Sequence, residues 1–197
     1  MQYLHWAEKT ITGFSPAAVT TVYAHGYVFT RLGKGVMHQT RSVRINLSKF
    51  ELTSENRRIL KKTDDMEIIA VTLPLRERYD WSLGKLAKDF YDTKFEPGIM
   101  SAQKVKELLT DEYKSNFNTL LTYSKGESVI GHAVCYQNNS LLHYSYPFYD
   151  LKTALKDMGL GMMLRAIQYA KDSGLKYIYL GSLQRRGDTY KLQFSSL

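Results

Sequence analysis

The order of hydrophobic and polar positions divides most of the chain into short strands and amphipathic helices. Short runs rich in β-branched and aromatic residues are typical of strands, and apolar positions that recur every three or four residues are typical of helices. These patterns predict strands at residues 27–29, 41–47, 66–73, 117–123, 129–137, 141–148 and 176–180. They predict helices at residues 54–62, 82–92, 101–113 and 159–171.

The residues between these elements predict how the strands are connected. Residues 33–35 read as a turn between the first two strands, and turns at residues 125–126 and 138–140 join three later strands into an antiparallel meander. The continuously apolar run at residues 66–73 predicts a strand buried on both faces. The final strand, helix and strand predict a right-handed parallel crossover. Residues 1–26 lack a clear pattern, so we expect an irregular arm there.

Length and charge narrow the class of protein. A chain of 197 residues that is 44% hydrophobic is a folded domain and excludes a disordered or fibrous protein. A basic N-terminal extension over residues 1–65, packed on a core of residues 66–197, is the predicted division. The net charge of +8 favours anionic partners such as nucleic acid, phosphorylated cofactors or acidic membrane surfaces.

The cysteine and histidine content excludes several kinds of site. A single cysteine, Cys135, excludes an intrachain disulfide and a cysteine-held zinc or iron–sulfur centre, which fits a reducing compartment. His132 and His143 are expected to be core or surface histidines, and no metal site is predicted. The sequence shows no secretory signal and no membrane span, so we expect a cytoplasmic protein without a membrane partner.

A glycine-containing join between the strand at residues 141–148 and the next helix is a candidate anion site. Glycines there allow a ligand to approach the backbone, and the free N–H groups at a helix start favour phosphate. The alternative is an ordinary helix start. The candidate donor-binding residues are Lys156, Gly159, Leu160, Gly161 and Met162.

An aromatic and acidic run lies at the carboxyl end of the same strand, where open α/β sheets bind ligands. Tyr146 and Asp150 are the candidate catalytic residues, because a phenol and a carboxylate can hydrogen-bond an amine or move its proton. The alternative for Phe148 and Tyr149 is aromatic core packing, and for Asp150 a capping role.

A basic segment precedes the predicted core and is the candidate nucleic-acid surface, because phosphates need such donors. The alternative is a solvated charged face. The candidate tRNA-binding residues are Arg41, Arg44, Arg57, Arg58, Lys61 and Lys62.

The element order from residue 66 resembles the mixed α/β fold of the GCN5-related N-acyltransferases, in which two neighbouring parallel strands splay apart to admit an acyl carrier. In enzymes of that fold, the loop corresponding to residues 156–161 holds the pyrophosphate of coenzyme A. Several ordered blocks also resemble the arginyl- and leucyl-tRNA–protein transferases. The blocks are Arg44-Ile45, Phe50, residues 56–62, Tyr146-x-Phe148-Tyr149-Asp150, residues 174–181, and Tyr190-Lys191 with Phe194.

This resemblance implies an aminoacyltransferase with the GCN5-related fold and a basic N-terminal extension. The α-amine of an acceptor protein would attack the ester of aminoacyl-tRNA, with Tyr146 and Asp150 positioning or deprotonating the amine. The partners implied are tRNA and a protein N-terminus, with neither a cofactor nor a metal. The substrate-binding residues implied are Phe148, Tyr149, Tyr179, Gly181, Tyr190 and Lys191.

Two alternatives remain open on the sequence. Gly161 completes the double glycine of coenzyme A enzymes and favours an N-acyltransferase that uses acetyl-coenzyme A. The other alternative is an RNA-binding module that keeps the fold without catalysis. Residues 37–41 stand where the family carries N-terminal cysteines, so a cysteine-held cluster is not expected.

Overall fold

The structure is a computed structural model that describes residues 4–152, 154, 156–184 and 186–195. Its strands are β1 (Ala7–Thr10), β2 (Tyr27–Phe29), β3 (Val36–Gln39), β4 (Ser42–Asn46), β5 (Met66–Thr72), β6 (Thr119–Lys125), β7 (Ser128–Gln137), β8 (Leu141–Tyr149) and β9 (Tyr177–Ser182). Its helices are α1 (Pro16–Ala24), α2 (Ser54–Lys62), α3 (Trp81–Lys94), α4 (Ala102–Thr110) and α5 (Met158–Asp172). Two 3₁₀ segments span Arg76–Arg78 and Arg186–Gln193.

Six strands form one mixed sheet in the order β4-β9-β8-β7-β6-β5. Strands β5 to β8 form an antiparallel meander, and β9 returns parallel to β8 after α5. The predicted meander, the parallel pair and the mixed α/β class are confirmed. Since β8 and β9 are the parallel pair, the crossover helix α5 begins at the carboxyl end of β8.

Strand β5 corrects one prediction. The apolar run predicted as a strand buried on both faces is the edge strand of the sheet, where it pairs with β6. Ile69 in its middle is 59% exposed. An apolar β-branched run has the same pattern at an edge as in a sheet centre, and the neighbours that decide between them are distant in sequence.

The first 40 residues contain more structure than their pattern predicted. A three-stranded sheet in the order β1-β3-β2, together with α1, replaces the irregular arm expected at residues 1–26. The turn at residues 33–35 leads into β3, which pairs with β2, whereas β4 joins the large sheet. Gly35 adopts φ +78°, and a Cβ there would lie 2.1 Å from the carbonyl oxygen of Ile11, so only glycine fits.

Part of the predicted extension lies within the main sheet. Strand β4 pairs with β9, and α2 packs on α5, although both precede residue 65. Helix α2 starts at a capping box in which the side chains of Thr53 and Asn56 each accept a hydrogen bond from the other's backbone. The division at residue 65 into an extension and a core stays a prediction.

The two faces of the large sheet are covered by different helices. Met162 of α5 packs beside Gly131 and Tyr149 on one face. Tyr23 of α1 packs against Tyr136 and Tyr179 on the other. Within the described part of the chain, no helix combines the length and apolar character needed to cross a bilayer.

Candidate active site

Strands β8 and β9 separate at the carboxyl end of their parallel pairing. The pairing ends at His143 and Tyr179. Beyond that pair, β8 continues along β7 to Tyr149, and β9 continues along β4 to Ser182. The strands therefore diverge into a wedge, the β8–β9 opening. It lies at the carboxyl ends of parallel strands, which is where open α/β sheets bind ligands.

A β-bulge in β8 orients the side chains beside this opening. Tyr144 pairs with Cys135 and Tyr146 pairs with Val134, so Ser145 is an additional residue on β8. The bulge places Tyr144 and Tyr146 on opposite faces, although simple alternation would place them on the same one. Tyr146 is half-buried and meets Phe117 edge to face, with ring centroids 5.3 Å apart.

Four tyrosines, Tyr91, Tyr146, Tyr149 and Tyr190, interact electrostatically around the opening. Burial and the nearby phenol of Tyr146 raise the pKa of Tyr91. Desolvation, with the nearby groups of Asp188 and Tyr149, raises the pKa of Tyr190 to about 12. The phenols of Tyr91 and Tyr190 are therefore neutral at physiological pH and can donate hydrogen bonds to a substrate.

His143 holds the closed end of the opening. Its Nδ1 lies 2.9 Å from the hydroxyl of Tyr23, which also accepts a hydrogen bond from the backbone N–H of Phe29 at 3.3 Å. Burial, and then the charge of Lys191, lowers the pKa of His143 to about 3. The ring is therefore neutral, and its Nδ1 shares a hydrogen bond with the phenol of Tyr23. His143 joins β8 to α1 where the strands part.

Lys191 brings a partly desolvated cation to the β9 side. Its Nζ donates to the carbonyl oxygen of Ser182 at 2.9 Å, and burial lowers its pKa. Gly181 adopts φ +77° beside an irregularity in the β4–β9 pairing, and a Cβ there would lie 3.8 Å from Lys191 Nζ. The left-handed backbone at Gly181 therefore favours glycine at a position next to the lysine.

The start of α5 lies beside Tyr149. A Cβ on Gly159 would fall 3.2 Å from the Tyr149 hydroxyl, so glycine permits this close approach. Burial raises the pKa of Tyr149, and a hydrogen bond with the Gly159 backbone opposes the shift. The amides of Leu160 and Gly161 donate to the carbonyl of Asp157 at 3.0 and 2.9 Å. Gly159 is thus the glycine of this loop that borders the Tyr149 side of the opening.

The sequence comparison supports a family assignment over the part of the chain that forms this site. The sequence model of the family described as "Arginine-tRNA-protein transferase, C terminus" matches residues 84–197, more than half of the chain. The chain belongs to this transferase family. A search of curated protein sequences finds no match.

Solved structures show the same fold at low sequence identity. L-PGS from Bacillus licheniformis superposes with a TM-score of 0.52 at 13% identity, covering 87% of this chain and 54% of that one. The C-terminal domain of a protein described as a lysylphosphatidylglycerol synthetase from Agrobacterium fabrum gives a TM-score of 0.53 at 12% identity, with 86% and 53% covered. The chain therefore spans about half the length of these two structures.

The fold class that the element order predicted is confirmed, since the chain forms a mixed sheet whose one parallel pair separates at its carboxyl end. A GCN5-related N-acetyltransferase from Kribbella flavida is similar at a TM-score of 0.42 and 10% identity, with 92% and 60% of the two chains covered.

The predicted substrate residues divide into two groups in this fold. Phe148 is buried and its ring lies 5.3 Å from that of His132, while Tyr179 is buried against Tyr23, so both contribute to the core. The residues beside the opening are Tyr146, Tyr149, Gly181, Tyr190 and Lys191.

Asp150 follows β8 in a tight turn. Its Oδ1 accepts a hydrogen bond from the backbone N–H of Lys152 at 2.8 Å. This is the contact expected of a capping residue, and the half-buried carboxylate keeps a second oxygen that can face an amine. The catalytic role of Asp150 stays a prediction.

The candidate donor-binding residues at the start of α5 differ in how exposed they are to solvent. Lys156 is exposed before the helix, whereas Met162 is buried inside it. A Cβ on Gly161 would lie 2.8 Å from Cγ2 of Thr63, which shows that this glycine lets α5 pack closely on α2. A phosphate-binding role for Gly161 stays a prediction beside this packing role.

The predicted tRNA-binding residues form two separate groups. Arg44 on β4 stacks over the ring of Tyr177 at 4.6 Å, and Arg41 lies 5.9 Å from the ring of Trp6. The second group is on α2, where Arg58 and Lys62 lie 3.3 and 3.4 Å from the carboxylate of Asp157. The α2 group, which also contains Arg57 and Lys61, is therefore the one that touches the start of α5.

Sequence reasoning missed Tyr91, Tyr23 and His143 as parts of the site. Tyr91 is on the buried side of α3, where the sequence pattern predicts that an aromatic residue belongs to the hydrophobic core. Tyr23 is on a helix that the pattern did not predict. The place of His143 at the closed end of the opening follows only from the point at which the β8–β9 pairing ends. The aromatic pair Phe90-Tyr91 was the one local signal available.

Proposed function

We propose that this chain transfers an amino acid, of the arginine or leucine type, from aminoacyl-tRNA to the N-terminal α-amine of a protein. One observation carries the proposal. The region that matches the transferase family contains both strands of the β8–β9 opening, the crossover helix α5 and Lys191. The bulged strand and the neutral phenols of Tyr91 and Tyr190 supply polar groups beside the opening in that region.

The reaction needs little acid–base assistance. The neutral α-amine attacks the ester carbonyl carbon, an amide bond forms, and the bond from that carbon to the terminal ribose oxygen of tRNA breaks. One amine proton leaves the nitrogen, and the ribose oxygen gains a proton. Because an α-amine has a pKa near about 7.7–8.0, a substantial fraction is already neutral at physiological pH. Tyr146 and Asp150 then need only to orient the amine and accept its proton.

Lys191 is assigned to the developing negative charge. The tetrahedral intermediate carries an oxyanion, and a fixed cation in a partly desolvated site stabilises such a charge without reorganising. Lys191 Nζ is already oriented by the carbonyl of Ser182, on the β9 wall of the opening. The phenol of Tyr190, adjacent in sequence, is available as a second donor.

Helix α2 is assigned to the tRNA backbone. Arg58 and Lys62 reach Asp157 at the start of α5, so this basic group is continuous with the loop that borders the opening. A tRNA whose phosphates lie along α2 would thus place its aminoacylated end at the opening. An aminoacyl-tRNA donor and a protein acceptor are both found in the cytoplasm, which is the location we propose.

A donor-binding comparison tests this proposal against its alternatives. Total tRNA and acetyl-coenzyme A are titrated separately into the full chain at low salt. We expect saturable binding of tRNA and none of acetyl-coenzyme A. Binding of acetyl-coenzyme A together with acetylation of an amine would establish the N-acyltransferase instead. Binding of tRNA without any transfer from aminoacyl-tRNA would establish an RNA-binding module.

A further inference from the structure

Two histidines and a glutamate meet on the small N-terminal sheet, away from the β8–β9 opening. Glu8 of β1 and His38 of β3 are directly paired across the strands, so their side chains lie on the same face. His38 Nε2 and Glu8 Oε2 are 2.9 Å apart. The ring of His5 stacks on that of His38, with centroids 4.1 Å apart and planes inclined by 14°.

The three side chains form a donor set suited to a divalent transition metal. One ligand atom from each of His5, Glu8 and His38 lies within 4.8 Å of the other two. Two imidazole nitrogens and one carboxylate oxygen are a usual protein donor set for zinc, which binds nitrogen at about 2.0–2.1 Å. Ligands at that distance from a tetrahedral ion are about 3.3 Å apart. Because the two imidazole planes are nearly parallel, both nitrogens reach one ion when the exposed His5 ring rotates out of the stack.

Two of the three side chains, His38 and Glu8, are held in place by the sheet, and the third, His5, lies on the segment that precedes β1. His38 is 6% exposed and belongs to the central strand of the sheet, so its position is set before any ion binds. Glu8 is held opposite it by the β1–β3 ladder. His5 precedes β1 and is held beside β3 by the hydrogen bond from Trp6 N–H to the carbonyl of Gln39 at 3.0 Å.

We propose that His5, Glu8 and His38 bind one Zn²⁺ ion, with water completing the coordination. The sequence suggested no metal site, because these residues are spread over 34 positions and only the pairing of β1 with β3 unites them. The ion would fasten the N-terminal segment to the small sheet. That segment also contacts the chain just after β9, since the backbone of Leu4 hydrogen-bonds with the side-chain amide of Gln184.

Zinc titration of the full chain tests the site. Metal-free protein is titrated calorimetrically with Zn²⁺, and the variants His5→Ala and Glu8→Gln are compared with His25→Ala, which removes an exposed histidine from the end of α1. We expect one ion per chain. Loss of a ligand should weaken zinc binding by about 100-fold. This is the upper end of the range found when a residue that hydrogen-bonds to a metal ligand is removed. His25→Ala should bind zinc as the parent does.

The visible spectrum of the cobalt-loaded protein gives a second measurement. Co²⁺ in place of zinc should give the strong visible bands of a four-coordinate site, and these bands should be absent in Glu8→Gln. Glu8 is exposed and glutamine is its neutral isostere, so this variant tests the site even where His5→Ala fails to fold. Absence of zinc binding, parental affinity in Glu8→Gln, or an equal loss in His25→Ala would overturn the proposal.

Discussion

The hydroxyl of Tyr23 on α1 lies 2.9 Å from Nδ1 of His143, the last residue of β8 that pairs with β9. This contact ties a helix of the N-terminal region to the point at which the opening begins. Burial keeps this imidazole neutral, since it is the main cause that lowers the pKa of His143 to about 3. The closed end of the opening is therefore sensitive to protonation.

The buried histidines should make folding stability fall in weak acid. Burial and the charge of Lys191 lower the pKa of His143 to about 3, and burial lowers that of His132 to about 4. In the unfolded chain a histidine titrates near about 6.5, so the unfolded state binds more protons as the pH falls below that value. When the pH falls from 7 to 5, each of these histidines should lower the free energy of unfolding by about 2 kcal/mol.

Urea denaturation of the parent, His143→Gln and His25→Gln at both pH values measures this effect. His143→Gln should be less stable than the parent at pH 7, but it should lose about 2 kcal/mol less on acidification. His25→Gln replaces an exposed histidine and should follow the parent. Equal pH dependence in all three proteins would contradict a neutral His143.

Substitution of Gly161 should destabilise the fold through its contact with α2. In Gly161→Ala the new methyl group would lie 2.8 Å from Cγ2 of Thr63, and overpacking of this kind costs about 1–3 kcal/mol. Gly161→Asp, the natural test of a phosphate role, would introduce the same clash and cannot separate binding from folding. Thr63→Ala in the same chain removes the clashing methyl group.

A double-mutant cycle on Gly161→Ala and Thr63→Ala, followed by urea denaturation, measures this coupling. The double variant should be more stable than the sum of the single changes predicts. Additive effects would show that the glycine serves some purpose other than helix packing.

The α2 arginines should determine how tRNA binding responds to salt. Each phosphate contact contributes about −0.9 to the slope of log affinity against log salt, so Arg57→Ala with Arg58→Ala should flatten the slope by about 2. The matched control is Lys85→Ala with Lys88→Ala on α3, which removes the same charge from another helix. An identical change in both double variants would assign binding to net charge alone.

Asp150→Asn should separate catalysis from the capping contact. Asparagine keeps an oxygen that can accept the Lys152 N–H but carries no charge. If the carboxylate takes the amine proton, single-turnover transfer should fall by about 100-fold while tRNA affinity stays unchanged. A parental transfer rate would show that Asp150 serves only the turn. A loss of tRNA affinity at a parental rate would show that Asp150 contacts the donor and not the acceptor amine.

The sequence predicted those elements whose signals are local. Helix α2 has a capping residue before it, and the β6–β8 meander has turn residues between its strands, so both are confirmed close to their predicted bounds. The small sheet was missed because β1 and β3 are four residues each and lie far apart in sequence. The exposed edge position of β5 depends on partners that the sequence pattern does not reveal.

The candidate site was predictable in part, for the same reason. Tyr146, Tyr149 and Gly159 lie at the end of a recognisable strand, and the structure places them beside one opening. The bulge at Ser145 reverses the alternation of β8, and no residue pattern marks it. The contact of Gly161 with Thr63 joins two helices, so only the folded chain shows that this glycine also serves packing.

Direct transfer tests the central claim most clearly. The full chain is incubated with tRNA charged with labelled amino acids and with two acceptor peptides, identical except that one is acetylated at its N-terminus. The proposed reaction predicts label on the free peptide, none on the acetylated peptide, and release of one uncharged tRNA for each amide formed. Label on neither peptide, with the aminoacyl-tRNA bound and intact, would contradict the assignment of this site to aminoacyl transfer.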